Sequence, residues 1–599
     1  MKYTAIGRQT LRRLYLVGKP FWASPLKWKA LALLATVLGL LFTVAAVNVF
    51  VSSIAGKFTT AMQAKDVSAY HHYLLLYAAA MVAGSPVVVF YQYLRTKLAL
   101  TWRQWLTQHL VDRYLENRAY YKLSNLPEID NPDERISQDV ETFCNSAVGL
   151  FIAWLDAFVT VCSFLGVLWL ISGTLTVVAL AYSLIGCLLA ILIGRKLVNL
   201  QFEHTRLEAD LRYTLANVRR DVESIAFYNG EKSARKVIFK RIAEAIFNLE
   251  LMMVTQRNLT FFTVNFNYMV ALIPAAIIAP LYFAGTMEFG DITKAAIAFG
   301  QVLAGMTLLV GQFTGITAFL ANINRLGSFV ETLDELQAHC QKRESGQGRD
   351  SAQLTEIHMV EGPNLSIKQL CVDVPGTGRR LLRNLDLEVG SGESVIIMGP
   401  SGSGKSSLLR AIAGLWKSGS GTVSCPPRSS LMFLPQRPFV PKSTLKEAVC
   451  YPRVDTCETD DEMQRAFELV NLQGLVERAG GLKSREAREV EHEWRDILSL
   501  GEQQRLTIAR LILARPRFVF LDEATSALDS ENERRIYELL KKLGTTIISV
   551  GHRESLIQHH QKVLELKGDG SWRLYSSNEN PDPDEGKTTC SDADTPGSN

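Results

Sequence analysis

The nine cysteines include no pair at metal-ligand spacing, and their number is odd. Cys144, Cys162, Cys187, Cys340, Cys371, Cys425, Cys450, Cys457 and Cys590 are scattered. That pattern excludes a disulfide framework and reads as reduced packing thiols in a cytosol-like compartment. Net charge is only +4, so no nucleic-acid footprint covers the chain and no nucleic-acid partner is expected. Acid is missing altogether from residues 1–29, which carry Lys2, Arg8, Arg12, Arg13, Lys19, Lys27 and Lys29. Charge of either sign is missing from a series of long apolar runs.

Those runs occupy 30–56, 73–94, 174–194, 259–287 and 295–324, and 147–173 contains one charge, Asp156. Each is long enough to span a bilayer as a helix, which takes roughly 20 residues. Pro86, Pro274 and Pro280 are tolerable inside such helices because neighbours satisfy the freed carbonyls. The basic start places the N-terminus in the cytoplasm, and the first run is too long for a signal peptide. Six spans then return the chain to that side, with short outer turns at 172–174 and 285–294. The inner loops, 95–146 and 195–258, are long and helical in pattern. Leu207, Leu211, Leu215, Val218, Val222 and Ile225 make an amphipathic stripe that Asn229-Gly230 ends. At ~1.5 Å per residue each arm reaches about 45 Å. Asp156, an acid at membrane depth, is a candidate for a substrate or ion role.

The first inner loop contains EIDNPDERISQD, residues 128–139. Asn131 fits an N-cap, Pro132 the first helical position and Glu134 a capping box, so a helix is expected over 132–146. Residues 325–364 read as a linker with a polar run at 344–351, and 571–599 as a polar, acidic, disordered tail. Between them, 365–570 reads as an α/β domain.

In that domain an apolar strand over 394–398 leads into GPSGSGKSS and then a helical run. This is the strand–loop–helix setting of a phosphate-binding loop. Backbone amides around Gly399, Ser401, Gly402, Gly404 and Ser407 would wrap phosphates, aided by the helix N-terminus. Lys405 would neutralise the β- and γ-phosphates of ATP, and Ser406 would hold Mg²⁺. A second apolar strand, 518–521, ends in Asp522 and Glu523, at the ligand edge expected of such a sheet. Asp522 would hold Mg²⁺ and Glu523 would polarise the attacking water. After a third strand, His552 can donate to a γ-phosphate.

LSLGEQQ at 498–504, Ala509-Arg510, Gln436 in LPQRPF and SALD at 526–529 complete an ordered set that resembles the ATP-binding-cassette transporters. The resemblance implies an all-α six-helix transmembrane domain of exporter type followed by an α/β P-loop cassette. It implies that Gln436 senses the γ-phosphate and ligates Mg²⁺. Ser499 and Gly501 would clamp ATP on the opposite cassette, and Asp529 would communicate between the two sites. One cassette and six spans make a half-transporter, working as a homodimer in the bilayer. Leu500 stands where the family has Gly, and Val374 falls where an adenine-stacking aromatic is usual.

NPDERISQD, EADLRYTLANVRRDVESIAFYNGE at 208–231 and LPQRPFVPKSTLKEAVCYP at 434–452 resemble subfamily D. That group includes fatty acyl-CoA importers, cobalamin transporters and bacterial and plastid relatives. Asn48, Asn265, Asn267, Gln301 and Gln312 in apolar spans suit an amphipathic cargo: a long-chain fatty acid or acyl-CoA, with cobalamin or a peptide as alternatives. A bacterial-type plasma membrane is expected ahead of a peroxisomal or plastid one. The rival of another class is a membrane-anchored regulatory ATPase without cargo. The NPDERISQD turn is expected to couple cassette motion to the spans.

Overall fold

The computed structural model describes residues 7–124, 129–344, 356–375, 377–453 and 459–578. The chain divides into two units, Met1–Ser345 and Gly346–Asn599.

In the first unit, five helices among the described residues are long and apolar enough to cross a membrane: Lys27–Gln63, Val67–Leu123, Pro132–Ile171, Gly173–Arg220 and Glu231–Phe283. Short polar residues set the turns between them. The Asp66 carboxylate accepts from the Ala69 amide at 3.0 Å, and the Ser172 hydroxyl accepts from Leu175 at 3.4 Å. Each thereby satisfies an otherwise orphaned helix-start amide. The sixth apolar run differs from expectation. It lies in two helices, Phe289–Gly311 and Phe313–Glu344, that meet at a turn on Gln312.

Small residues allow the closest helix crossings. A Cβ on Gly290 would lie 1.9 Å from the Gly56 carbonyl oxygen. One on Gly186 would strike the Phe266 ring, which stacks on Tyr182 at 4.0 Å. Glycine at both places lets backbone or ring approach where any side chain would block it.

Residues 1–29, read as a basic segment, contain a helix, Arg8–Trp22, with Val17, Gly18 and Phe21 buried. Phe21 stacks on Trp102 at 5.2 Å, so the segment belongs to the membrane unit's core. At the other end, residues 325–344 of the expected linker continue the Phe313–Glu344 helix. Most of the polar run at 344–351 lies outside the described residues.

NPDERISQD starts a helix at Pro132 that continues to Ile171, past the expected end at 146, through one π-helical turn, Arg135–Asp139. The capping box is not formed. Asn131 takes a left-handed conformation (φ 41°), and its amide donates to Glu134 at 3.4 Å instead of accepting from the helix. Arg135 and Asp139 turn inward and are 4% and 6% exposed. Arg135 donates to the Arg325 carbonyl at 2.7 Å, to Ser328 at 3.1 Å and to Asp130 at 2.7 Å. Asp139 pairs with Arg325 at 3.2 Å and accepts from Asn322 at 3.2 Å. A π turn carries an extra residue, which shifts side chains around the helix. Here the turn coincides with a polar lock on the Phe313–Glu344 helix.

The second unit contains two sheets. One has strand order His358–Glu361, Gly419–Cys425, Leu365–Asp373, Arg380–Val389, so it begins before residue 365. The other runs Trp572–Ser576, Lys562–Leu566, Ser394–Met398, Thr546–Val550, Phe518–Asp522, Leu431–Leu434. Its pairings are parallel except at the Trp572–Ser576 edge. That edge strand occupies the start of the expected tail. Residues 579–599 lie outside the described residues. The central strands are buried on both faces, as a parallel sheet covered by helices requires.

Candidate functional site

Parallel pairing brings four strand ends to one edge. Ile397 and Asp522 both register with Val550, and Leu434 registers with Leu521. The residues that follow these ends are Gly399 and its loop, His552, Glu523 and Gln436. Sequence-distant groups therefore converge where ligands bind open α/β sheets.

The loop is shaped by glycines where only glycine fits. Gly399 has φ 144°, and a Cβ there would lie 2.2 Å from the Leu566 carbonyl oxygen. Gly402 and Gly404 have φ 81° and 99°, in the left-handed region. The Lys405–Ile412 helix follows, anchored through buried Leu408, Leu409, Ala411 and Ile412. Ser401 is exposed, and Ser406 and Ser407 are half-buried on the first turn. Lys405 is buried, its ammonium donating to the carbonyls of Gly399 at 2.8 Å and Pro400 at 2.9 Å. Burial lowers its pKa, opposed by Glu523 and Asp522.

Around the loop, the acids are hydrogen-bonded in sequence. The Ser406 hydroxyl donates to Asp522 at 3.2 Å. Burial raises the Asp522 pKa, which the Ser406 bond and nearby cations oppose. Gln436 donates to one Glu523 oxygen at 2.7 Å, and His552 Nε2 lies 3.1 Å from the other. Glu523 is held at φ 49°, a left-handed conformation rare for a non-glycine residue. Lys405, Ser406, Gln436, Asp522, Glu523 and His552 thus form one cluster.

Ser499, Gly501 and Asp529 lie apart from it: among the described residues, no hydrogen bond joins them to that cluster. Ser499 caps the Leu500–Ala514 helix through a complete capping box with Glu502. A Cβ on Gly501 would sit 3.1 Å from the Ala527 carbonyl oxygen. Asp529 caps the Ser530–Lys542 helix, accepting from the Asn532 amide at 2.8 Å. That bond and one from the Asn532 side chain hold its carboxyl below the usual range. Leu500 is 48% exposed at the helix start. Near Val374 the chain turns tightly, the Val374 amide donating to the Arg379 carbonyl at 2.8 Å.

Four contributors had no individual role assigned from sequence. Ser403 is 2% exposed, and its hydroxyl has no hydrogen-bond partner inside the loop, as expected of a group that a phosphate oxygen can satisfy. Arg553, adjacent to His552, donates to the carbonyls of Ser526 at 2.8 Å and Leu528 at 3.3 Å. Gln504 accepts from the Ala527 amide at 3.0 Å. The Gln504 bond fixes the SALD turn to the Leu500–Ala514 helix, and the two Arg553 bonds fix it to the loop that carries His552. Arg510 donates to the carbonyls of Ala448 and Phe439, each at 2.7 Å, tying that helix to the segment after Gln436. Burial pulls its pKa down to about 10. Ser403 lies inside the quoted GPSGSGKSS, Gln504 ends the quoted LSLGEQQ, Arg510 belongs to the quoted Ala509-Arg510 pair and Arg553 adjoins His552.

A glycine loop tuned for phosphate, with paired acids at the end of a strand one place further along the same parallel sheet, defines a P-loop ATPase. Its fusion to bilayer-length helices narrows that class to membrane transporters driven by ATP. Residues 21–283 match the family model for ABC transporter transmembrane region 2, and residues 382–526 match that for ABC transporter. An uncharacterized ABC transporter ATP-binding protein of Synechocystis is 42% identical over 555 residues, covering 92% of this chain and 82% of the relative. ABC transporter D family member 2, chloroplastic, of Arabidopsis thaliana is 34% identical, covering 94% and 88%. The human lysosomal cobalamin transporter ABCD4 is 31% identical, covering 85% and 87%. The chain belongs to the ATP-binding-cassette transporters, in subfamily D. It is an integral membrane protein that binds ATP and couples its hydrolysis to transport.

Proposed function

We propose that this half-transporter works as a homodimer and moves an amphipathic organic solute, a long-chain fatty acid or acyl-CoA-like compound, across a bacterial-type plasma membrane. The observation that carries the cargo class is a cavity of about 680 Å³ in the membrane unit, lined by Asn267, Val270, Gly300, Leu303, Ala304, Thr307, Leu308 and Gln312. Its walls are apolar with three neutral hydrogen-bonding groups and no charge. Such a lining suits a chain-like solute better than an ion, which would need compensating charge at that depth. Cobalamin is the second reading, supported by the printed name of the human relative. The Synechocystis relative, at 42% identity, favours a bacterial-type membrane, and the chloroplastic relative makes a plastid membrane the alternative.

In the cassette, the backbone amides of Gly399, Ser401, Gly402, Ser403, Gly404 and Ser407 receive the phosphates of ATP. Lys405 leaves the Gly399 and Pro400 carbonyls to pair with the β- and γ-phosphates. The Ser406–Asp522 pair, with Gln436, fits a hard cation such as Mg²⁺, since all three offer oxygen ligands. When bound, that ion supplies charge neutralisation at the γ-phosphate. Glu523, oriented by Gln436 and held in a strained conformation, takes a proton from the attacking water. His552 donates to the γ-phosphate, and its bond to Glu523 keeps both groups poised. Ser499 and Gly501, at a helix N-terminus, and Asp529 serve the partner's nucleotide. Within the membrane unit, the Arg135–Asp139 lock passes motion from the NPDERISQD turn to the Phe313–Glu344 helix.

The test is Glu523→Gln, which should bind ATP with near wild-type affinity while hydrolysis falls by ~10²–10⁴-fold. Wild-type turnover in that variant would reject Glu523 as the base. Cargo is tested by solute-stimulated ATPase in nanodiscs with acyl-CoAs, free fatty acids, cobalamin and peptides. Stimulation by none of them would favour the regulatory ATPase without cargo.

A further inference from the structure

The Arg8–Trp22 helix has two faces with different chemistry. Its inner face is clamped to the last membrane-unit helix, Phe313–Glu344. Arg13 donates to Glu331 at 2.9 Å, and Thr10 donates to Asn324 at 3.4 Å. Gly327 makes room for this contact, since a Cβ there would lie 2.6 Å from Arg13 Cβ. The outer face presents Arg8, Leu11, Arg12, Tyr15 and Lys19, all exposed. Their spacing of three and four residues makes one continuous stripe. Leu11 and Tyr15 are 54% and 62% exposed.

Residues 1–29 contain no Asp or Glu. Among the described residues, Arg8, Arg12 and Lys19 form no ion pair. Lys19 instead lies over the Tyr15 ring at 5.1 Å, and Lys27 over the exposed Trp28 ring at 5.6 Å. Five residues after Trp22 the chain enters the Lys27–Gln63 span, so this stripe sits beside the hydrocarbon boundary. Basic residues interleaved with Tyr, Trp and Leu at that depth match an anionic head-group layer: phosphates outside, acyl chains beneath.

We propose that the Arg8–Leu11–Arg12–Tyr15–Lys19 face docks anionic phospholipid head groups in the leaflet where the first span begins, and that this contact regulates turnover. The regulatory route is the clamp. The Phe313–Glu344 helix that holds Arg13 also receives Arg135, Asp139 and, at Asp334, Arg113. A lipid that holds the N-terminal helix in place therefore biases the helix on which these locks converge. This inference rests on the membrane assignment and needs neither the cargo nor the nucleotide roles proposed above.

The test uses the full chain in nanodiscs of phosphatidylcholine alone or with phosphatidylglycerol. Lipid binding is read by native mass spectrometry, and ATP hydrolysis is read in parallel. Wild-type protein should retain phosphatidylglycerol selectively and hydrolyse ATP faster in its presence. Arg8→Gln/Arg12→Gln/Lys19→Gln should weaken that binding on the order of 100-fold, from about fivefold per charge, with basal hydrolysis in phosphatidylcholine kept. A triple variant of the same charge change on the exposed arm, Lys232→Gln/Lys236→Gln/Lys240→Gln, should keep the lipid response. Arg8→Lys/Arg12→Lys, which preserves charge, should also keep it and guards against misfolding. Equal binding of both lipids by the wild type, or equal loss in the arm variant, would overturn the proposal.

Discussion

At the end of the Pro132–Ile171 helix Leu170 is 85% exposed, whereas all five residues of Thr546–Val550 in the cassette are buried. The two units place apolar surface on opposite sides. In the cassette it is removed from water inside the sheet, contributing about 1.5–3 kcal/mol for each fully buried Val or Ile. In the membrane unit much of it faces outward, where lipid is as apolar as leucine and burial stabilises little. Specific helix contacts there must come from glycine crossings and buried polar locks such as Arg135 and Asp139. The cassette instead gathers its polar groups at one sheet edge, where they do chemistry. A polar deletion should therefore damage structure in one unit and turnover in the other.

The strongest break of that contrast is in the cassette. Glu523→Gln should reduce phosphate release by ~10²–10⁴-fold while leaving thermal unfolding of the membrane unit unchanged. A fall in membrane-unit stability in that variant would show that the two effects are not separable. In the membrane unit, Arg135→Ala removes donors to the Arg325 carbonyl, Ser328 and Asp130. The loss should cost about 3 kcal/mol, read as a lower melting temperature by tryptophan fluorescence. Basal ATP hydrolysis should persist in that variant, but its stimulation by cargo should fall.

The cassette also contains a polar group whose effect is on stability, and pH tests it. His560 is 3% exposed, with Nδ1 2.8 Å from the Leu556 carbonyl oxygen and Nε2 2.9 Å from the Ser549 hydroxyl. Burial pushes its pKa down to about 4. The folded state keeps it neutral while the unfolded chain takes up a proton near its ordinary value of about 6.5. Stability is therefore full above that pH and declines as pH falls towards about 4, by on the order of 3 kcal/mol. Denaturation of the solubilised protein across that range should show the decline, and His560→Gln should flatten it.

Legibility from sequence followed the same divide. GPSGSGKSS and the Asp522-Glu523 pair were readable because phosphate chemistry fixes residue type and spacing together, and LSLGEQQ through its resemblance to a transporter family. The helices of the membrane unit were readable as apolar runs, because a bilayer demands little beyond length. Where a tertiary contact decides, the sequence was silent. The Arg8–Trp22 helix looked like a basic segment, since its buried face is only Thr10, Val17, Gly18 and Phe21. Residues 325–344 looked like a linker because their charges, Arg325 and Glu331 among them, are partners for other helices rather than solvent. The capping box at Asn131 failed because Arg135, drawn inward by the Arg325 carbonyl, sets the local backbone. Trp572–Ser576 looked like tail because an edge strand needs only one neighbour.

The smallest effect is expected where this chain departs from its family. Leu500 occupies the first turn after the Ser499 cap, and it is half-exposed. The groups that can address an anion there are the Ser499 hydroxyl and the backbone amides, not the Leu500 side chain. Glu502 occupies the Ser499 amide at 2.9 Å, and the Ser499 hydroxyl lies 3.0 Å from the same carboxylate. The capping box therefore holds the helix start whichever residue follows it. Leu500→Gly restores the usual residue but adds chain entropy, at about 0.5 kcal/mol. ATP hydrolysis should change by less than about twofold, because the backbone amides at the helix start are unaltered. A large gain in hydrolysis would mean that Leu500 itself restrains closure of the two cassettes, making the departure a brake rather than a neutral change. Ser499→Ala, which does remove the cap, should cost about 1 kcal/mol and bracket the result from the other side.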